Sequence, residues 1–416
     1  MKRIAMISYH TCPLASQEGK ESGGMNVYVM ELSRQLALLG NQVDVFTRSQ
    51  DRDNKPVVEV ANGFRVIHIV AGPEEHVPKK ELRQFIPDFV AGVKDFCAKE
   101  KIVYDVVHAH YYLSGLIAKL VWDPAKSGIP FIMTFHTLAL MKNMVARDEM
   151  EKENEERIES EMMLAHEADR IIAPSTSDAQ YLQFLYDVPR NRIALIPPGV
   201  DADIFRPIDT AVAKEKIDIR SDEHLVVFVG RIEPLKGIDV LIYAMKILTK
   251  RNPSLPVSLI IVGGDVNSHP SMWSKTLKSL DGVRKTLHLT ATVHFVHQQK
   301  QEMLPYYYNA ADIVVMPSHY ESFGLSALEA MACGVPVIMT NVTGIATLID
   351  DKHSSLITSV NNPLLLASQM EEFLMDKEKR ESVGRSIRES IMDLTWKNIA
   401  SRVDAIYDDV HSEKMR

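Results

Sequence analysis

Asp312-Ile-Val-Val-Met-Pro-Ser-His-Tyr-Glu-Ser-Phe-Gly-Leu-Ser-Ala-Leu-Glu-Ala-Met-Ala-Cys-Gly-Val-Pro-Val-Ile-Met339 reads as strand, loop, helix, strand. Asp312–Met316 and Val337–Met339 are short runs rich in branched apolar residues. The helix begins near Gly324 and stops at Gly334, a helix-terminating residue placed just before Pro336. Two strands joined through a helix are parallel, and a parallel sheet needs helices on both faces. Ligands meet such sheets at the carboxyl ends of the strands, so the loop Pro317–Phe323 is where chemistry is expected.

Working outward, the same rhythm fills the chain. Strand candidates in the first half are 3–8, 42–47, 65–70, 105–109, 131–135, 170–173 and 192–196, with helical stretches at 24–39, 79–98 and 151–168 between them. The second half restarts with strands at 225–229, 257–262 and 293–296 before the stretch quoted above. Pro197-Pro-Gly-Val-Asp-Ala-Asp-Ile-Phe-Arg-Pro207 carries three prolines and a glycine in eleven residues and reads as a linker. The expected fold class is therefore α/β: two doubly wound, Rossmann-like domains at 1–200 and 205–395, followed by an amphipathic helix at 396–416. The charged run 148–157 is expected to be a solvated helix face.

Three strand-end loops carry unusual residues. Glu21-Ser-Gly-Gly-Met-Asn26 opens a helix, and Gly23 and Gly24 allow a ligand to approach backbone N–H groups closely. Alone it also reads as a flexible turn before a helix. Gly230-Arg-Ile-Glu-Pro-Leu-Lys-Gly237 puts Arg231 and Lys236 at a strand's carboxyl end, where a guanidinium fork and a mobile ammonium suit a diphosphate. Alone these also read as two surface cations. In the third loop, N–H groups near Gly324–Ser326 suit a phosphate. Glu321 precedes that helix and Glu329 lies within it. Eight helical steps would separate them by about 12 Å, a span that sets one carboxylate at a sugar and the other at a ribose. GxGxxG and GxxxxGK[ST] are both missing from the sequence, so nicotinamide and P-loop readings lose support.

At these residues the chain resembles the retaining glycosyltransferases of family 4, which have the two-domain GT-B fold with the domains facing across a cleft. The matching motifs are Gly23-Gly24, Gly230–Gly237 and the Glu-x7-Glu pair Glu321/Glu329, and the resemblance runs over nearly the whole chain. It implies that Arg231 and Lys236 hold the donor diphosphate, that Glu329 takes the ribose hydroxyls, and that Glu321 contacts the transferred sugar. Gly23, Gly24, Phe323, Gly324 and Leu325 complete the donor site. His136 would lie near the sugar's 6-hydroxyl, although a histidine after an apolar strand also reads as a core residue. The resemblance is greatest to the subgroup that transfers N-acetylglucosamine from UDP to an inositol phosphate in the mycothiol pathway, through Gly23-Gly-Met-Asn-Val-Tyr28 and His136-Thr-Leu-Ala-Leu-Met-Lys-Asn143. There, residues matching Lys79, Tyr111, Thr137 and Arg157 grip the acceptor phosphate and the Asn26 match lies near the acceptor. By themselves, Lys79 and Arg157 also read as helix-surface cations. Sucrose-phosphate synthases share the glycine loop and also take a phosphorylated acceptor. Phe135-His136 and His294-Phe-Val-His297 depart from the subgroup's pattern.

The expected reaction is thus transfer of a hexose or N-acetylhexosamine from a nucleotide sugar, UDP favoured, to a small phosphorylated acceptor. It calls for no cofactor and no metal. A metal-dependent transferase would use Asp-x-Asp; Asp51-Arg-Asp53 and Asp201-Ala-Asp203 match, but lie outside the three loops. His108-Ala-His110 shares one strand face and reads either as a metal pair or as a packed strand end. A non-catalytic nucleotide-sugar binder would keep Arg231 and Lys236 without needing Glu321 and His136.

Composition sets the remaining bounds. A formal net charge of −8 leaves no extended basic field for nucleic acid or an anionic membrane surface. Three single cysteines fit neither a disulfide framework nor zinc spacing. With no signal-peptide core and no 18-residue apolar run, the expected location is cytoplasmic, without membrane insertion. The partners expected are small molecules; a homodimer is compatible with the sequence.

Overall fold

The computed structural model describes residues 1–14, 23–349 and 351–415. Glu21 and Ser22 of the glycine-rich loop lie outside the described residues. The chain divides into two units. One contains Gly24–Gly199, the segment that precedes the glycine-rich loop, and the C-terminal Trp396–Arg416; the other contains Val200–Thr395 together with Gly23.

Among the described residues, the first unit is built on eight strands: β1 Arg3–Ile7, β2 Gln42–Arg48, β3 Val57–Ala61, β4 Phe64–Ile69, β5 Val106–His110, β6 Phe131–Thr134, β7 Arg170–Ala173 and β8 Ile193–Leu195. Their order is β3-β4-β2-β1-β5-β6-β7-β8. All neighbours are parallel except β3 and β4, which form an antiparallel hairpin. The sequence reading missed β3, because Val57-Val-Glu-Val-Ala61 alternates buried and exposed at a sheet edge. Its turn is Asn62-Gly63, with Gly63 at φ 78° and Asn41 O only 2.8 Å from where a Cβ would stand. Central strands β1, β5 and β6 are buried on both faces, which is why they read as continuous apolar runs.

Among the described residues, the second unit has six parallel strands: β9 His224–Val229, β10 Val257–Val262, β11 Val293–Val296, β12 Ile313–Met316, β13 Val337–Thr340 and β14 Ile357–Thr358. They are ordered β11-β10-β9-β12-β13-β14. The order reverses between β9 and β12, and both candidate donor loops leave the carboxyl ends of these two strands. Val200 N donates to Leu394 O at 2.8 Å, so the two ends of this unit's chain are side by side.

Two helical expectations change. Residues 79–98 are not one helix: a 3-10 segment, Lys79–Phe85, precedes the α-helix Ile86–Glu100. Pro87 sits in that helix's first turn, where its missing N–H is harmless, but it cannot continue a helix from upstream. The run 148–157 is not a solvated helix face. Asp148 Oδ1 accepts from Met150 N and Glu151 N, closing a turn. The α-helix starts only at Glu155, capped by Asn154, whose side chain accepts from Arg157 N. Arg157 itself is 2% exposed.

The C-terminal helix Trp396–Lys414 packs on the helix Gly24–Leu38 within the first unit. Trp396 meets the Tyr28 ring edge-on at 5.4 Å, and the fully buried Tyr407 hydroxyl lies 2.7 Å from His108 Nδ1. Among the described residues no helix is long and apolar enough to cross a membrane.

Candidate active site

The donor-side residues all lie in the second unit apart from Gly24 and His136. After β9, a 3-10 turn Pro234–Lys236 ends at Gly237, which has φ 62°. A Cβ there would stand 2.1 Å from Pro317 O, so glycine is what lets this loop close on the loop after β12. His319 N donates to Leu235 O at 2.8 Å and ties the two together. The result is that Lys236 Nζ contacts the Glu321 carboxylate directly, each side chain less than one-fifth exposed. Arg231 is more open, 54% exposed, and pairs with Glu233 at 2.9 Å.

Glu321 is held from behind. Gly344 N donates to Glu321 O at 3.1 Å and Ile345 N to Phe323 O at 2.8 Å. Gly324, at φ 104°, separates this extended piece from the helix Leu325–Ala332. The Glu321–Glu329 span is therefore only half helical: a positive φ at Gly324 ends any continuous helical path. Ala327 and Leu328 donate the first backbone bonds, both to Gly324 O, leaving the Leu325 and Ser326 amides as the terminal pair along the axis. Phe323 is buried beneath this turn.

Glu329 is almost wholly buried and accepts from Tyr308 Oη at 2.8 Å. Burial pushes its carboxyl up to about 7, and the Tyr308 bond opposes this only in part. An acid held above its usual 4.5 grips its proton more tightly when folded. Its stabilising contribution is thus complete below about 4.5 and lost as pH rises through about 7. Glu329→Gln, which can still accept from Tyr308, should raise the second unit's stability at pH 8 by roughly 3 kcal/mol and leave it unchanged at pH 4. Melting curves at both pH values check this; identical shifts at both would refute a raised Glu329 pKa.

The first unit gathers the acceptor-side candidates. Lys79 Nζ lies 5.2 Å from the Tyr111 ring centre and the Arg157 guanidinium 4.8 Å from it. Arg157 Nη2 donates to Thr137 O at 3.0 Å and to Thr137 Oγ1 at 3.2 Å. Lys79, Tyr111, Thr137 and Arg157 therefore form one cluster. Asn26 has a different anchor: its amide donates to Cys12 O at 2.7 Å. The helix-surface reading of Arg157 is corrected, since its Nε donates to the fully buried Glu161 at 2.7 Å. Glu161 also accepts from Tyr186 Oη at 2.7 Å and Ala139 N at 2.8 Å. On the outer side, Arg157 Nη1 pairs with Glu153 at 2.9 Å, and Glu153 also contacts Lys142 Nζ. Burial would raise the Glu153 carboxyl, but Arg157 and Lys142 outweigh it and hold it below the usual range.

Tyr111 has φ 76° and ψ 155°, a conformation that belongs almost to glycine alone and costs on the order of 1–3 kcal/mol. His136 has φ 61°. Both strained residues follow the carboxyl ends of adjacent strands, β5 and β6. His136 Nε2 lies 3.0 Å from His110 Nδ1, and the Tyr28 ring meets it edge-on at 5.1 Å. Burial drives His108 and His136 down to about 3 and His110 well below its ordinary value, so the three imidazoles are neutral at physiological pH. The rival metal readings find these groups already engaged. His108 Nε2 is 2.9 Å from Thr134 Oγ1, His110 Nε2 is 3.2 Å from Met6 Sδ, and Asp201 Oδ1 caps the turn at Asp203 N. His136 and Thr137 also line a small solvent-open depression with Phe135, Leu138 and Asp178.

Sequence reasoning missed Glu161, Tyr186, Glu153 and Tyr308. The first was findable, as Arg157 and Glu161 stand four apart on one helix face. It also missed Gly263, at φ 148°, which lets the end of β10 approach Gly230 O, where a Cβ would stand at 2.0 Å.

Residues 22–204 match the Glycosyltransferase Family 4 domain and residues 209–390 the Glycosyl transferases group 1 domain. The chain is 35% identical to a D-inositol 3-phosphate glycosyltransferase of Streptosporangium roseum, over 98% of this chain and 93% of that protein. It is 36% identical to one of Corynebacterium efficiens, over 98% and 95%. Among solved structures, a sucrose-phosphate synthase from Thermosynechococcus elongatus superposes with a TM-score of 0.89 at 30% identity, over 99% of this chain and 100% of that one. Two parallel α/β units, a glycine-shaped loop pair that joins Lys236 to Glu321, and relatives matched along almost their full length establish one conclusion: the chain belongs to the family 4, group 1 glycosyltransferases of GT-B fold and is a glycosyltransferase.

Proposed function

We propose that the protein is a cytoplasmic, retaining transferase that moves a hexose or N-acetylhexosamine from UDP to an inositol phosphate. The observation that carries the acceptor reading is the cluster of Lys79, Arg157, Thr137 and Tyr111. Two cations and a hydroxyl beside one aromatic face suit a phosphate monoester. The names of the D-inositol 3-phosphate glycosyltransferases support the same acceptor class.

On the donor side, Arg231 and Lys236 bind the diphosphate, with the Leu325 and Ser326 amides at the helix start. Glu329 takes the ribose hydroxyls, and Glu321 and His136 contact the sugar. The bond from sugar C1 to the phosphate oxygen breaks first, through an oxocarbenium-like state, and its electron pair stays on the phosphate. Lys236 and Arg231 stabilise that growing charge. The acceptor hydroxyl then attacks C1 from the face the phosphate leaves, and its proton passes to the departing phosphate. His136, neutral at physiological pH, serves as a hydrogen-bonding group to the sugar and not as a charged acid. This route asks for no metal, so turnover should survive excess chelator; full loss that divalent cation restores would overturn it.

A second reading is favoured by the sucrose-phosphate synthase likeness: the acceptor is a hexose phosphate. One experiment separates the two and tests the whole proposal. UDP-, GDP- and ADP-sugars are offered against inositol phosphates and hexose phosphates, and the product anomer is read by NMR. Transfer from UDP to an inositol phosphate with retained configuration is expected. Inverted product, or indifference to the acceptor's phosphate, would refute the reading.

A further inference from the structure

Two carboxylates share the Arg157 guanidinium, and their surroundings differ. Glu161 is fully buried and receives three fixed donors, from Arg157, Tyr186 and Ala139 N. It is a permanent counter-ion that aims the guanidinium. Glu153 is 21% exposed at its side chain and lies just before the Asn154 cap. Its backbone is pinned by Asn143: Glu153 N donates to Asn143 Oδ1 at 2.7 Å, and Asn143 Nδ2 donates to Glu153 O at 3.1 Å. Its carboxylate bridges Arg157 Nη1 and Lys142 Nζ, the two-cation arrangement that a phosphate's oxygens also satisfy. The Nη2 edge of Arg157 is already committed to Thr137. A phosphate that takes Nη1 therefore meets Glu153 there first.

We propose that Glu153 is an internal competitor for the acceptor phosphate: it occupies Arg157 and Lys142, and the phosphate must displace it to bind. The proposal rests on the acceptor-phosphate reading of Arg157. Displacement leaves Arg157 with Glu161 and releases Lys142 from Glu153, so Lys142 becomes an additional phosphate ligand. Glu153 then acts as a selectivity filter. Neutral polyols and weakly charged anions do not repay the loss of its two ion pairs, and a phosphate dianion does.

The test is Glu153→Gln, which keeps the side chain's size and removes its charge. KM for the phosphorylated acceptor should fall roughly 5- to 30-fold, while KM for the nucleotide sugar stays as it is. Inorganic phosphate should become a stronger competitive inhibitor by a similar factor. Calorimetric titration of the folded protein with inorganic phosphate gives the same comparison without turnover. A KM that is unchanged or raised overturns the proposal, because a carboxylate that merely positions Arg157 would weaken binding on removal. Arg157→Lys, run alongside, separates the two failures. If Arg157→Lys weakens only the phosphorylated acceptor and Glu153→Gln strengthens nothing, the competitor role fails alone. If Arg157→Lys weakens phosphorylated and dephosphorylated acceptors equally, the phosphate seat itself is refuted.

Discussion

Lys236→Ala is expected to lower kcat by about 10²- to 10³-fold, the scale of losing one preorganised donor to a developing anion. The ammonium stands on a short 3-10 turn closed by Gly237, which limits its freedom before any substrate arrives. Its partner Glu321 is mostly buried, so the cation's hydration is already partly stripped. A charge held this way acts more strongly on the departing phosphate than on the resting diphosphate, whose charge is more spread out. The loss should therefore fall on kcat, with a smaller change in KM for the donor. Lys236→Arg should recover only part of the activity, because a planar fork does not replace a compact ammonium beside Glu321. Steady-state kinetics check both variants. Turnover of the alanine variant within a few-fold of the parent would remove Lys236 from the chemistry.

Arg157→Ala is expected to cost about 3–5 kcal/mol of first-unit stability, because it strands the Glu161 carboxylate without its cation. Glu161 is fully buried and lies between Tyr186 and the Ala139 amide, shielded from bulk solvent. The stacking of Arg157 on Tyr111 and Tyr112, at 4.8 and 5.3 Å, is lost as well. For a unit of this size the melting transition should drop by roughly 6–20 °C. A drop below about 2 °C would mean that Glu161 finds another partner. Kinetic comparison of acceptors therefore calls for Arg157→Lys, which retains the positive charge and gives up the fork.

The parallel α/β sheets are as the sequence predicts, because strands buried on both faces must be apolar throughout and glycines must stand where loops touch. The candidate donor loops were marked by Arg231, Lys236, Glu321 and Glu329, and Gly237 and Gly324 stand in them because the backbone there leaves no room for a side chain, or turns the wrong way for one. The hairpin strand Val57–Ala61 was not legible, since an edge strand carries half the apolar signal. Nor was the burial of Arg157. A charged helix position looks solvated until a partner such as Glu161 and two aromatic faces arrive from distant parts of the chain. Glu329 is the same case, as its environment is set by Tyr308 from another helix. Strain at Tyr111 is also invisible in sequence, because tyrosine does not advertise a positive φ, and the enrichment of histidine there is too weak to single out His136.

The final helix, Trp396–Lys414, belongs with residues 24–199 and not with the segment that leads into it. Residues 200–395 are thus one long segment inserted between residue 199 and the final helix of the first unit, and the bond from Val200 to Leu394 fastens the neck of that insert. The insert can be excised as one uninterrupted polypeptide. The host cannot be obtained by stopping the chain after residue 199, which would strip Tyr407 from His108 and Trp396 from Tyr28; it needs residue 199 spliced to residue 396 by a short connector.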